Sequence, residues 1–180
     1  MGILIRRAEL SDLQSLFDLY EYWDEKEFHF KKKYTKEILK RIIVESEITV
    51  AVDYEKVVSF YLINPFFDIG NVKERKKIIP QLIADEQIPN GRYAFCLLSA
   101  THKDYLSRGL NRAALNLLCE IASYKYDYFI GIMYYGNIPT QKSSLKMGWK
   151  HYGDVGFGLL AIIGTTEENH KKLNDINGKL

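Results

Sequence analysis

The sequence has few of the features that would classify a protein immediately. Its 180 residues contain only two cysteines, Cys96 and Cys119, and no CxxC or Cys/His spacing. This excludes a disulfide framework and the usual zinc motifs, and it indicates two buried thiols in a reducing compartment. No apolar run reaches the roughly 18–20 residues of a membrane span, and Met1–Arg7 lacks the apolar segment of a signal peptide. We therefore expect a cytoplasmic protein with no membrane contact and no metal.

Excess charge and glycine-rich loops are also scarce. The net charge is +2, from 25 basic and 23 acidic residues, which gives no global reason to expect a nucleic-acid partner. Neither the GxxxxGK[ST] nor the GxGxxG phosphate motif is present. A nucleic-acid binder that uses the basic cluster at residues 73–77 is an alternative, and the near-neutral charge disfavours it.

What remains is the composition of an ordinary globular domain, with 47% hydrophobic and 27% charged residues. A chain of this length is long enough to bury one core, and no internal repeat or low-complexity tract divides it. We predict a single domain over residues 1–164. Residues 165–180 are polar, and we expect them to form a loosely ordered tail.

Hydrophobic periodicity and turn signals predict a mixed sequence of strands and helices. The predicted strands are Ile3–Arg7, Ile48–Val52, Val57–Ile63, Tyr93–Ala100, Tyr128–Met133 and Val155–Ile163. Two helices are predicted to start after N-caps at Ser11 and Thr35. Two more are predicted over Gly109–Tyr124 and Pro139–Lys146. Residues 72–86 could form another helix, which Pro80 would bend or interrupt. Strands and helices alternate in the second half, so part of the sheet should be parallel. The fold class is therefore α/β with a mixed sheet.

The stretch Tyr93–Leu118 carries the clearest chemical signal. It reads as a strand, a polar turn and a helix that begins at Gly109. The start of a helix leaves about four backbone N–H groups unpaired and carries partial positive charge, which makes it an anion site. Glycine allows close approach of a phosphate, and Arg108 and Arg112 would add charge-assisted contacts.

Two segments in this order resemble the GNAT acetyltransferase superfamily. Residues 105–115 (YLSRGLNRAAL) match the register of its strand–[Q/R]xxGx[G/A]–helix motif, with departures at Leu106 and Asn111. Residues 137–140 and 146–149 (NIPT and KMGW) resemble its N-x-x-[S/A] … K-x-G-F ending. The similarity is strongest over residues 93–153.

The resemblance implies a central mixed sheet of about six to seven strands flanked by helices, splayed between its fourth and fifth strands. It also implies acetyl-CoA, or another acyl-CoA, as the cofactor. Backbone groups of the fourth strand would contact the pantetheine arm, the loop amides would hold the phosphates, and an asparagine after the fifth strand would contact the arm. The corresponding residues here are Ser99, Ala100, Thr101, Leu106, Ser107, Arg108, Gly109, Leu110, Asn111, Arg112 and Asn137.

The resemblance identifies the catalytic groups less directly. Ser144 falls where many members place a tyrosine that donates a proton to the thiolate, so Tyr134, Tyr135 or Tyr105 are alternatives. Glu27 or His29, in the charged segment after the first helix, is our candidate general base. His102 has a suitable intrinsic pKa but lies in the turn before the loop.

The function implied is transfer of an acetyl group to the primary amine of a small molecule. An amino sugar, an amino acid, a polyamine and a peptide N-terminus all remain open as acceptors. The departures at Leu106, Asn111 and Ser144 motivate an alternative, a catalytically degenerate module that binds or senses acyl-CoA. The apolar segment Val155–Ile163 would give a homodimer if it forms an exposed sheet edge.

Overall fold

The computed structural model describes residues 2–23, 34–45, 47–64, 79–154 and 158–177. The strands are β1 (Leu4–Arg7), β2 (Ile48–Asp53), β3 (Lys56–Asn64), β4 (Tyr93–Thr101), β5 (Tyr128–Tyr134), β6 (Lys150–Asp154) and β7 (Gly158–Gly164). The helices are α1 (Leu13–Trp23), α2 (Lys36–Glu45), α3 (Leu110–Ala122), α4 (Ile138–Lys146) and α5 (Glu167–Asn177), and residues 79–84 are also helical. Glu27, His29 and residues 73–77 lie outside the described residues.

The seven strands form one mixed sheet in the order β1-β2-β3-β4-β5-β7-β6. β4 and β5 pair in parallel at their amino-terminal ends, where Tyr93–Phe95 align with Tyr128–Ile130. The pairs β1/β2, β2/β3, β5/β7 and β6/β7 are antiparallel. The predicted mixed sheet with flanking helices is therefore confirmed. The splay that we predict further along β4 and β5 stays a prediction.

Contacts between residues divide the chain into two compact units. The first comprises residues 1–64 and 98–121, and the second comprises residues 65–97 and 122–180. Fully buried apolar side chains such as Leu16, Phe60 and Leu118 form the interior of the first unit. In the second unit Phe95 and Ile130 belong to one buried cluster. The boundary of a single domain at residue 164 stays a prediction.

Local capping explains where the first helices begin. The predicted cap of α2 is present, because Ile38 N donates to Thr35 Oγ1 at 3.3 Å. The predicted cap at Ser11 is wrong. A 3₁₀ turn precedes α1, and Glu9 N donates to Asp12 Oδ2 at 2.8 Å. Asp12 is buried, and a two-point ion pair with Arg6 fixes its carboxylate at this turn.

The carboxyl-terminal region corrects two of our expectations. We expected Val155–Ile163 to be the last strand, with an edge free for a dimer. The structure instead has β6, which the sequence pattern did not reveal, and β7 lies inside the sheet between β5 and β6. This position explains why β7 is apolar. The predicted homodimer rested on a free edge of this strand, so nothing among the described strands supports it. The expected loose tail is also wrong, because α5 spans Glu167–Asn177 and buries Leu173 completely.

Candidate functional site

The end of β4 directs its backbone groups alternately to the two sides of the strand. His102 N, just past β4, donates to Val58 O of β3 at 2.8 Å. Backbone groups of successive strand residues point to opposite edges. Ala100 therefore directs its N–H and C=O toward β3, whereas Ser99 and Thr101 direct theirs away from β3. The contact of Ser99, Ala100 and Thr101 with a pantetheine arm stays a prediction.

Side chains from β3 and α1 fix this end of β4. Ser59 Oγ donates to Ala100 O at 3.1 Å, so its contact of 2.7 Å with Thr101 Oγ1 has the threonine as donor. Trp23 Nε1 donates to Thr101 O at 3.0 Å. A carbonyl oxygen has two lone pairs, so Thr101 O keeps one for a ligand. Sequence reasoning missed Ser59 and Trp23, because neither belongs to a local motif.

The turn after β4 holds two residues in the left-handed region. A 3₁₀ turn covers Lys103–Tyr105, and Ser107 and Gly109 then have φ values of +62° and +74°. A serine rarely adopts such a φ, because its Cβ crowds the backbone. Residues 106–109 are exposed. The chain therefore turns sharply twice in three residues before α3 begins.

The consequence is a run of backbone amides that we call the amide loop, residues Ser107–Arg112. The first hydrogen bond of α3 runs from Ala113 N to Gly109 O at 3.0 Å. Within the described part of the chain, none of the six N–H groups of the amide loop has a hydrogen-bond acceptor. Thr35, Asn137 and Thr166, in contrast, cap α2, α4 and α5 with side-chain oxygens. The start of α3 is therefore the uncapped one among these helices, and it suits an anion.

The amide loop contains two arginines, Arg108 and Arg112, and a tyrosine, Tyr105, precedes it. The Arg108 guanidinium lies 4.8 Å from the centre of the Tyr105 ring, a cation–π distance. Arg112 is exposed. Among the described residues neither arginine pairs with a carboxylate. Tyr105 Oη donates to Asp53 Oδ2 at 2.6 Å, and this bond raises the pKa of Tyr105. The loop therefore keeps both positive charges available for an anion.

A cavity of about 280 Å³ lies between α1 and the beginning of α2 in the first unit. Its walls are aromatic and charged. They comprise Phe17, Tyr20, Glu21, Tyr34, Thr35, Lys36 and Glu37. Lys36 Nζ is 5.3 Å from the centre of the Phe17 ring and donates to Gln14 Oε1 at 2.5 Å. The two glutamates and the aromatic faces make this cavity chemically suitable for a cationic amine.

Asn137, in the second unit, caps α4. Its Oδ1 accepts a hydrogen bond from Thr140 N at 3.1 Å. Its Nδ2 has no acceptor among the residues that the structure describes. Gln141 Nε2 donates to the carbonyls of Tyr134 and Tyr135 at 2.9 and 3.1 Å, which ties α4 to the end of β5. Asn137 thus has a fixed orientation and an amide hydrogen left for a ligand. Sequence reasoning missed Gln141.

Three hydroxyl groups that we considered as proton donors have hydrogen-bond acceptors within the protein. Ser144 is buried, and its Oγ donates to Gln141 O at 2.7 Å. The Tyr105 hydroxyl bonds Asp53, and the Tyr135 hydroxyl bonds Asp154, which raises the pKa of Tyr135. Tyr134, at the end of β5, is 40% exposed. Tyr134 as the proton donor stays a prediction.

Comparison with known proteins identifies the fold. No known family profile matches the sequence, and no curated protein resembles it significantly. Solved structures do match. PaiA N-acetyltransferase from Thermoplasma acidophilum, in complex with coenzyme A, is 16% identical, covers 91% of this chain and 99% of its own, and has a TM-score of 0.67. An acetyltransferase of the GNAT family from Listeria monocytogenes is 9% identical, with coverages of 90% and 94% and a TM-score of 0.65. The chain has the GNAT fold.

A further solved structure with the GNAT fold is a putative acetyltransferase, yncA, from Salmonella typhimurium with its cofactor acetyl-CoA. It is 11% identical, covers 93% of this chain and 96% of its own, and has a TM-score of 0.66. Identities this low carry the fold alone, so any activity must be argued from this chain's own residues. In the described ranges, no cluster of three potential metal ligands occurs and no helix is long and apolar enough to span a bilayer.

Proposed function

We propose that this protein binds an acyl-CoA at the amide loop and transfers the acyl group to a primary amine of a small molecule. The observation that carries the proposal is the run of six backbone N–H groups, Ser107–Arg112, without an acceptor among the described residues. Six N–H donors at a helix start suit a pyrophosphate, which offers more acceptor oxygens than a single carboxylate. Coenzyme A and acetyl-CoA are bound in the named PaiA and yncA structures, which supports this choice of ligand.

The departures at Leu106 and Asn111 do not remove this binding capacity. Leu106 is 52% exposed and precedes the amide loop. Asn111 contributes a backbone N–H as any residue would, because only proline lacks it. The loop acts through amides and the two arginines, so these side-chain changes alter its shape and surroundings rather than its donors.

Other residues would hold the rest of the cofactor. Ser99 and Thr101 offer backbone groups directed away from β3, and Asn137 offers its Nδ2. An acyl-CoA, when bound, supplies the acyl group as a thioester. The acceptor amine must be neutral to attack, so a base or a water chain must take its proton. Tyr134 is our candidate for the proton that the leaving thiolate needs, and Glu27 or His29 stays our candidate base.

For the acceptor we propose only a chemical class, a small amine. The cavity between α1 and α2 contains two glutamates, Glu21 and Glu37, and three aromatic rings. Two glutamates against one lysine, Lys36, together with the aromatic rings favour an ammonium group over an anion. A small amine therefore fits better than an acidic molecule, and an amino sugar or an amino acid stays within this class. The cytoplasmic location that we expected also stays a prediction.

A second function, binding of acyl-CoA without turnover, is favoured by one observation. The hydroxyls of Ser144, Tyr105 and Tyr135, which we considered as proton donors, have acceptors within the protein. If Tyr134 does not supply the proton either, the site would hold the cofactor and transfer little. This alternative shares the binding step and differs in turnover.

Calorimetric titration with acetyl-CoA and with free CoA is the decisive experiment. We expect micromolar binding of both, and a clear loss with Gly109→Asn, which tolerates the positive φ but adds a side chain at the amides. An unchanged unfolding temperature would show that the variant is folded. CoA release in the presence of a panel of amines then separates enzyme from binding module. Absence of binding to either ligand at about 100 μM, roughly −5.5 kcal/mol, would overturn the proposal.

A further inference from the structure

Tyr105 links two parts of the first unit that are far apart in sequence. Its hydroxyl donates to Asp53 Oδ2, 52 residues away, at 2.6 Å. Asp53 is the last residue of β2 and begins the hairpin turn to β3, in which Tyr54 has a φ of +54°. A tight hairpin turn is a rigid support, because both of its ends are hydrogen-bonded strands. The carboxylate is therefore held at a fixed place relative to the sheet.

The Tyr105 ring also anchors both ends of the loop that follows it. Together with Ile3 and Ile5 it packs against a buried cluster of Ala51, Val58 and Leu110. Leu110 is the first residue of α3, so the segment between Tyr105 and Leu110 starts and ends on the same apolar cluster. The exposed residues 106–109 thus connect two fixed points, Tyr105 and Leu110.

The same ring holds the charged side chain of the loop. The Arg108 guanidinium stacks 4.8 Å from the ring centre. Donation of the hydroxyl hydrogen to a carboxylate increases electron density on the ring, which strengthens attraction of a cation to its face. Asp53, Tyr105 and Arg108 therefore form a chain of contacts from the hairpin turn to the amide loop.

Such a chain matters for binding because a loop that is ordered before the ligand arrives loses less entropy on binding. The amide loop contains a serine at a φ of +62°, a conformation that surrounding contacts must maintain. We propose that Asp53 is a positioning residue for the amide loop and acts through Tyr105, which it holds beneath Arg108. This inference rests on the proposed function, because the anion that the positioned loop would bind is the pyrophosphate of CoA.

The test is a double-mutant cycle on CoA binding, measured by calorimetry with the full-length protein. Tyr105→Phe and Asp53→Ala should each weaken CoA binding by about fivefold, roughly the effect of one lost hydrogen bond. The double variant should be no weaker than either single variant, because both remove the same bond. Binding by each variant should also depend less on salt than wild-type binding does, because Arg108 is less well placed.

Tyr54→Phe and Glu55→Gln are matched controls. Both residues lie in the same turn and are exposed, and the structure gives neither a hydrogen bond among the described residues. They should bind CoA as the wild type does. Unfolding temperatures measured for all variants would identify a loss of affinity that comes from unfolding alone.

The possible failures can be told apart. If the wild type does not bind CoA, the proposed function fails and the positioning role fails with it. If the wild type binds but Tyr105→Phe and Asp53→Ala match the controls, only the positioning role is overturned. The same holds if the two losses add in the double variant, or if the salt dependence of binding is unchanged.

Discussion

Ser144 and His151 form a hydrogen bond of 3.1 Å in which the imidazole is the donor. The single hydroxyl hydrogen of Ser144 is already directed to Gln141 O, so Nε2 of His151 must carry the proton. The bond joins α4 to β6, two elements of the second unit. Burial lowers the pKa of His151, and burial likewise lowers that of His170. Both rings are therefore neutral in the folded protein near pH 7.

Stability should consequently fall as the pH drops from about 7.5 to about 5.5, around the ordinary histidine pKa of about 6.5. A histidine with a lowered pKa binds fewer protons when the protein is folded than when it is unfolded. Its contribution to stability is thus present above the unfolded pKa and decreases as the pH falls below it. Urea unfolding at the two pH values measures the effect. His151→Gln, which keeps a donor for Ser144 and cannot titrate, should reduce the difference, and an unchanged difference would contradict this account.

The left-handed residue Ser107 predicts a stabilising substitution. Ser107→Gly removes the Cβ that disfavours a φ of +62° and should stabilise the protein by up to about 1 kcal/mol, less the entropy that glycine adds to the unfolded chain. Gly109→Ala should destabilise by about 1 kcal/mol for the opposite reason, because no contact opposes its Cβ and only the φ of +74° does. Urea denaturation measures both. Equal stability of the two variants would show that the turn relaxes.

Burial of Leu173 predicts that α5 contributes to the stability of the second unit. Leu173→Ala should cost about 2–5 kcal/mol, because it opens a cavity in the cluster that includes Tyr128 and Ile162. Lys171→Ala, on the exposed side of the same helix, is the matched control and should change stability by under about 0.5 kcal/mol. Chemical denaturation of the two variants is the measurement. Similar values would mean that the helix is not packed as described.

The fold and the amide loop were accessible from sequence because their signals are local. The stretch from Tyr93 to Leu118 shows a β-rich run, a polar turn and a helical stripe that begins at Gly109. β6 was missed because its five residues, KHYGD, contain two glycine or acidic positions and no alternation of apolar side chains. The apolar run of β7 was then misread as an edge strand, since periodicity does not reveal which strands pair with each other.

The side-chain network around the site was not accessible for a related reason. Asp53 and Tyr105 are 52 residues apart and meet only because the hairpin and the loop share one end of the first unit. The commitment of Ser144 to Gln141 O likewise depends on one rotamer in α4. Motif register places residues at positions along the chain. It does not tell which hydroxyl has already donated its hydrogen.

The two arginines of the amide loop give the last prediction. Arg108→Gln and Arg112→Gln should each weaken CoA binding by about fivefold, near 1 kcal/mol, at low ionic strength. The loss should shrink as salt is raised, because exposed charges are screened over about 10 Å at 0.1 M salt. Arg41→Gln is the matched control, since Arg41 is exposed on α2 and pairs with Glu45 at 3.1 Å. Calorimetry at two salt concentrations measures the effect. A loss that is independent of salt would mean that these side chains act on the shape of the loop, and that the backbone amides alone meet the pyrophosphate.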